Sequence, residues 1–146
     1  MIVYIDMDDV LCDFTGQFNA DIASNPPIGF PQSQYGFFAK LKPIEGALET
    51  VKSLSASDRY SPYILTAPSI RNPLCYTEKR VWIEEKLGME FVSRLIICPD
   101  KSLLKGDILI DDNLGGKGQE GFEGELLHFG SEAYPDWAAV RRKLQV

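Results

Sequence analysis

Apolar residues recur along the chain in short runs that end in polar ones: MIVYI at 1–5, PYILT at 62–66, RLIIC at 94–98, DILID at 107–111 and ELLHF at 125–129. Their lengths and β-branched content predict buried strands. Between them the apolar spacing becomes helical. In PIEGALETVKSL, residues 43–54, Ile44, Leu48, Val51 and Leu54 share one face, and Pro43 suits a first turn. TEKRVWIEEKLG, residues 77–88, offers Thr77 as N-cap, an apolar face of Val81, Trp82 and Leu87, and Gly88 as the stop. YPDWAAVRRKL, residues 134–144, predicts a final helix. Strands alternating with helices predict an α/β fold, a Rossmann-like, largely parallel sheet covered on both faces.

From Phe14 to Lys42 this rhythm stops, and NPPIGFPQSQYGFFAKLKP is rich in proline, glycine and aromatics. It is longer than an ordinary strand-to-helix connection, so the expectation is one domain over 1–146 with a short insertion, 14–42, placed over the strand ends as a cap. A length of 146 residues, 45% apolar and 25% charged, fits one soluble core.

The chemistry gathers at the strand ends, where ligands bind in open parallel sheets. Asp6 closes the first predicted strand with Asp8, Asp9 and Asp13 soon after, Thr66 closes the second, Lys101 follows the third, and Asp111 with Asp112 closes the fourth. Crowded carboxylates raise the cost of ionising one another unless a cation, shared protons or water relieve them. Carboxylates with one lysine and one threonine suit a hard cation such as Mg2+. With one carboxylate free to attack and Lys101 and Thr66 to hold phosphoryl oxygens, the set supports phosphoryl transfer through an aspartyl-phosphate.

Net charge −6 argues against a nucleic-acid polymer as partner and leaves room for a small anionic ligand with a local cation. Cys12, Cys75 and Cys98 are widely spaced, odd in number and form no CxxC pair, so neither a zinc site nor a disulfide framework is indicated and reduced thiols are expected. The single histidine, His128, lies in an apolar run and reads as structural. MIVYI is too short for a signal peptide or a membrane span, so a cytoplasmic protein is expected.

YIDMDDVL resembles the first motif of the haloacid dehalogenase (HAD) superfamily of phosphatases, YILT its second, DK at 100–101 its third and DILIDD its fourth, in family order. Within it, DMDDVLCDF is similar to the DMDGVLADF of the 5'(3')-deoxyribonucleotidase family, ILTAPS to its ICTSP, and LKPIEGALETVK to its LEPxPGAxxAVK. EKRVWIEEKLGMEFVSRLIICPDK resembles its EKYxWVExxxGxxFxxxIxLTRDK, and GDILIDDN its DLLIDD. The similarity runs from residue 1 to about 113.

The resemblance implies a HAD-type Rossmann-like sheet and a Mg2+-dependent phosphomonoesterase acting on nucleoside monophosphates. Asp6 would attack phosphorus. Asp8 would protonate the leaving oxygen, then activate water, and offer its backbone carbonyl to Mg2+. Thr66 and Lys101 would bind phosphoryl oxygens, Asp112 would join Asp6 on the metal with Asp111 beside it, and Phe14 would line the nucleotide pocket.

The chain departs from that pattern where Asp9 replaces a glycine, Pro99 an arginine and Ala67 a serine. Asp9 is expected to face solvent or cap a helix, and Asp13 to cap the turn after the loop. The insertion is shorter than the family's cap, with Tyr35, Phe37 and Phe38 as candidates either for stacking on a base or for the core. A neighbouring copy could complete so short a cap, which leaves homo-oligomerisation open. NLGGKGQEGFEG, 113–124, lacks phosphate-loop spacing and reads as a flexible connection, Lys79 and Lys105 as surface charges although Lys79 matches a lysine that the resembling family also carries, and Trp82 and Trp137 as core.

Three rivals stand beside this reading. A phosphatase for a non-nucleotide metabolite keeps the mechanism, and a nucleotide-binding protein without turnover keeps the fold. A signalling receiver domain shares the residue types, but there the acidic pair precedes the threonine and lysine, whereas here Asp111 and Asp112 follow Thr66 and Lys101.

Overall fold

A computed structural model describes all residues, 1–146. Five strands, β1 (Ile2–Ile5), β2 (Ser61–Thr66), β3 (Leu95–Ile97), β4 (Ile108–Asp111) and β5 (Glu125–His128), form one parallel sheet in the order β3-β2-β1-β4-β5. All five predicted strands are present, and β1 is central. Its register sets Ile5 against both Ile64 and Ile110, so Asp6, Thr66 and Asp111 emerge at one edge.

Five helices complete the chain: α1 (Phe14–Ile22), α2 (Ala47–Ala56), α3 (Leu74–Leu87), α4 (Met89–Val92) and α5 (Trp137–Leu144). Alternation along β1 sends Val3 and Ile5 into a core with Val51 and Leu54 of α2, Trp82 and Ile83 of α3, and Trp137 and Val140 of α5. Tyr4 points the other way, into a small cluster with Leu65 and Leu109 that Leu104, Phe122 and Leu126 cover. Helices therefore pack on one face, and connecting segments cover the other.

Both tryptophans are buried, as expected, and each indole N–H finds a carbonyl. Trp82 donates to Leu41 at 2.8 Å and Trp137 to Val10 at 2.8 Å. These bonds tie α3 and α5 to the segment that follows β1.

Three helix starts differ from the sequence reading. Helix α2 begins at Ala47 rather than 43, because Gly46 takes the left-handed φ of 79° and Pro43 pairs with Cys12 in an antiparallel bridge. Helix α3 begins at Leu74, where the Asn72 carboxamide oxygen accepts the Leu74 N–H at 3.0 Å, so Thr77 lies inside the helix and is not its cap. Helix α5 begins after Asp136, whose carboxylate accepts the Ala139 N–H at 2.8 Å. Gly88 does end α3, with φ 88°.

The segment 14–42 holds α1 and a short 3-10 turn, Pro31–Ser33. Asp13 caps α1 as expected, accepting the Gly16 N–H at 2.8 Å. Buried Glu78 of α3 holds the far end of the segment by accepting the N–H groups of Gly36 at 2.5 Å and Phe38 at 3.0 Å.

Candidate active site

The carboxyl edge of β1, β2 and β4 opens into a cleft of about 450 Å³. Asp6, Asp8, Lys101 and Asp112 line it beside Phe14 and Phe38. One inward strand residue is followed by one polar residue at each strand end, and parallel register brings those polar residues together.

Lys101 is buried and bridges two of the carboxylates, Asp6 at 2.9 Å and Asp111 at 2.5 Å. Burial alone would lower its pKa, but Asp6 and Asp111 outweigh burial and hold it above the usual lysine range. Asp111 has no solvent exposure and is fully engaged, since it also accepts from the Asn113 N–H at 2.9 Å and the Gln119 amide at 3.1 Å. It orients its neighbours and is already saturated with donors.

Asp112 is different. Its Oδ1 is buried with no hydrogen-bond partner, while its backbone carbonyl lies 2.9 Å from His128 Nε2. A carbonyl only accepts, so His128 carries its proton on Nε2 and has a structural part in holding Asp112.

Carboxylate oxygens of Asp6, Asp111 and Asp112 lie within 4.8 Å of one another. Burial, reinforced by Asp6, Asp111 and Asp9, pushes the Asp112 carboxyl up to about 7. Burial also raises Asp6 to about 6, with Lys101 opposing. An all-oxygen set with an orphaned buried carboxylate oxygen fits a hard divalent cation.

Thr66 does not line the cleft. It is fully buried, and its Oγ1 accepts a hydrogen bond at 2.6 Å from Lys79, which reading as a surface charge had missed. Lys79 is 0% exposed, and its ammonium also donates to Asp8 Oδ2 at 2.8 Å and to the Ala67 carbonyl at 2.9 Å. Burial by itself would lower its pKa, and Asp8 with Asp6 more than reverse this.

A signal for Lys79 was present: it shares the face of α3 that buries Cys75, Trp82 and Ile83, and a lysine there requires a buried anion. Lys105 is at the surface as expected.

Asp9 sits at the cleft wall with φ 56°, a left-handed conformation that explains a glycine in the resembling motif and that aspartate tolerates better than most residues. Its carboxylate caps the start of α1, accepting from the Thr15 N–H at 2.8 Å and hydroxyl at 2.6 Å.

Phe14 meets Phe37 edge-on at 5.3 Å and Phe38 at 6.0 Å between centroids. Phe37 and Phe38 both belong to the core, each 1% exposed, and Tyr35 is 84% exposed outside the cleft; of the three candidates only Phe38 borders the cleft, from beneath its surface, with the Lys79 ammonium 5.1 Å from its ring centroid.

The 113–124 connection also returns to the cleft. Gln119 is buried against Asp111, the Lys117 carbonyl accepts the Lys101 N–H at 2.7 Å, and Lys117 and Asn113 line the cleft.

A family model described as "5' nucleotidase, deoxy (Pyrimidine), cytosolic type C protein" matches residues 29–132. That range includes Thr66, Lys79, Lys101 and both aspartates of the β4 end, and begins after Asp6 and Asp8. A provisionally named 5'(3')-deoxyribonucleotidase of Vibrio phage KVP40 is 39% identical over 144 residues, covering 95% of this chain and 81% of its own. The human cytosolic-type 5'(3')-deoxyribonucleotidase is 41% identical over 85 residues, 58% of this chain and 42% of its own. The human mitochondrial one is 32% identical over 139 residues, 75% of this chain and 61% of its own. The chain thus spans less than two thirds of either human enzyme.

Proposed function

The chain belongs to the 5' nucleotidase, deoxy (pyrimidine), cytosolic type C family, and from that premise we propose that it hydrolyses deoxyribonucleoside monophosphates with Mg2+, through an aspartyl-phosphate on Asp6. The observation that carries the reading is the convergence of Asp6, Asp8, Lys101 and Asp112 on one cleft beside Phe14 and Phe38.

An Asp6 carboxylate oxygen attacks phosphorus as the ester P–O bond breaks, and the leaving sugar oxygen takes a proton from Asp8. Oδ1 is the Asp8 atom left for that proton, since Oδ2 is held by Lys79 and the nearest partner of Oδ1 is the Cys12 sulfur at 3.9 Å. Water then attacks phosphorus and gives its proton to Asp8, the bond to Asp6 breaks, and phosphate leaves.

Lys101 steadies Asp6 and faces the phosphoryl oxygens, while Thr66 acts from beneath by fixing Lys79. Asp6, Asp112 and the Asp8 carbonyl would hold Mg2+, which supplies charge neutralisation for the phosphoryl group. Lys117 offers the cleft a second ammonium where Pro99 removes an arginine. The segment 14–42 serves as the cap that carries Phe14 to the substrate, with buried Phe38 packed behind it.

Phosphate release from a panel of deoxyribonucleoside and ribonucleoside monophosphates and sugar phosphates tests this. Preference for deoxynucleotides is expected. Turnover of sugar phosphates alone would keep the chemistry and remove the substrate.

The raised carboxyl values also predict how stability depends on pH and on the cation. Asp6 at about 6 and Asp112 at about 7 bind protons more tightly in the native state than unfolded aspartates near 3.8. Their contribution to stability is therefore full below the unfolded value and is lost as pH rises through 6 and 7. A bound cation relieves this loss. In calorimetry, Mg2+ should raise Tm more at pH 8 than at pH 5, and an increment independent of pH would contradict the cation site.

A further inference from the structure

Gln32 lies on the 3-10 turn Pro31–Ser33 and lines the same cleft as Asp6, Asp8, Lys101 and Asp112. Its side-chain Oε1 is shut away from solvent and accepts no hydrogen bond. Its backbone is anchored, because the carbonyl accepts the amide of buried Asn72 at 2.9 Å, and the same Asn72 caps α3. The buried carboxamide of Gln119, on the same cleft, is spent: it donates to Asp111 at 3.1 Å and accepts from the Lys117 N–H at 2.8 Å.

An acceptor buried without a donor leaves the free protein short of one hydrogen bond, which a turn of the amide towards a ligand N–H would restore. The neighbouring lining includes the half-buried Phe14, whose ring suits a flat heterocycle. A carboxamide presents an acceptor beside a donor, and a ring N–H beside a carbonyl is its complement.

We infer that Gln32 is a specificity-determining residue that pairs with the lactam edge of the substrate's base. This rests on the nucleotidase reading and adds to it how a short cap selects a base. A site built to pair with an N–H rejects an analogue that lacks it, because the group in the protein stays unpaired.

The test compares kcat/KM for thymidine 5'-monophosphate, its N3-methyl analogue and deoxyribose 5-phosphate, in the unmodified protein and in Gln32→Leu. The unmodified protein should prefer thymidine monophosphate over the N3-methyl analogue by about tenfold or more. In Gln32→Leu that preference should shrink to about twofold or less, and the ratio of thymidine monophosphate to deoxyribose 5-phosphate should fall by a similar factor.

Equal turnover of the two thymidine compounds by the unmodified protein, a measurement independent of how the variant folds, overturns the inference and leaves nucleotidase activity standing. So does a Gln32→Leu variant that still discriminates. Turnover of deoxyribose 5-phosphate with none of either nucleotide removes the nucleotidase reading itself, and the inference with it.

Discussion

Asp6→Asn should abolish phosphate release, by at least about a thousandfold in kcat, the scale on which losing a nucleophile acts. The amide is nearly isosteric, so the substitution leaves the shape of the cleft and removes the attacking charge. Lys101 keeps Asp111 as its partner at 2.5 Å, which preserves the local fold. Stability should therefore survive while activity does not. Tm and kcat measured on one preparation check this, and an Asp6→Asn variant that keeps a tenth of the activity would move the nucleophile elsewhere.

Lys79→Met should have the opposite balance, with a large loss of stability as well as of rate. Methionine fills much of the volume but leaves Asp8, Thr66 and the Ala67 carbonyl without the ammonium that now reaches all three. Removing one partner of a buried ion pair costs about 3–5 kcal/mol, and the lower end applies because Asp8 stays partly open to the cleft. For a chain of this size about 3 kcal/mol is a fall in Tm of roughly 6–12 °C. Asp8 also loses the bond that aims it, so kcat should drop about tenfold to a hundredfold. A Tm within about 2 °C of the unmodified protein, with kcat within twofold, would make Lys79 a bystander.

The contrast between these residues shows where the sequence was legible. Strands buried on both faces are short runs of valine, isoleucine and leucine, so β1, β2 and β4 and the acids at their ends could be read directly. Helix starts were harder because the caps differ from the expected ones: Gly46 and Asn72 set the first turns of α2 and α3 where Pro43 and Thr77 had the right chemistry in the wrong place.

Lys79 was hidden by its charge, although its position on the apolar face of α3 marked it. Gln32, Lys117 and Gln119 had no periodicity to place them, since each lies in a connecting segment whose path is set by tertiary hydrogen bonds. The motif aspartates were legible because chemistry restricts which residues can stand there. Which side chains of 14–42 reach the cleft was not, because many sequences can supply a wall.

On the proposed reaction path Asp6 carries the phosphoryl group during turnover. Acid quenching in the steady state with a deoxynucleoside monophosphate, borohydride reduction and peptide mass spectrometry test it directly. Asp6, and no other aspartate, should be converted to homoserine, and that product should be lost in Asp6→Asn. Steady phosphate release with no reduced aspartate, or reduction at Asp8 or Asp112, would contradict it.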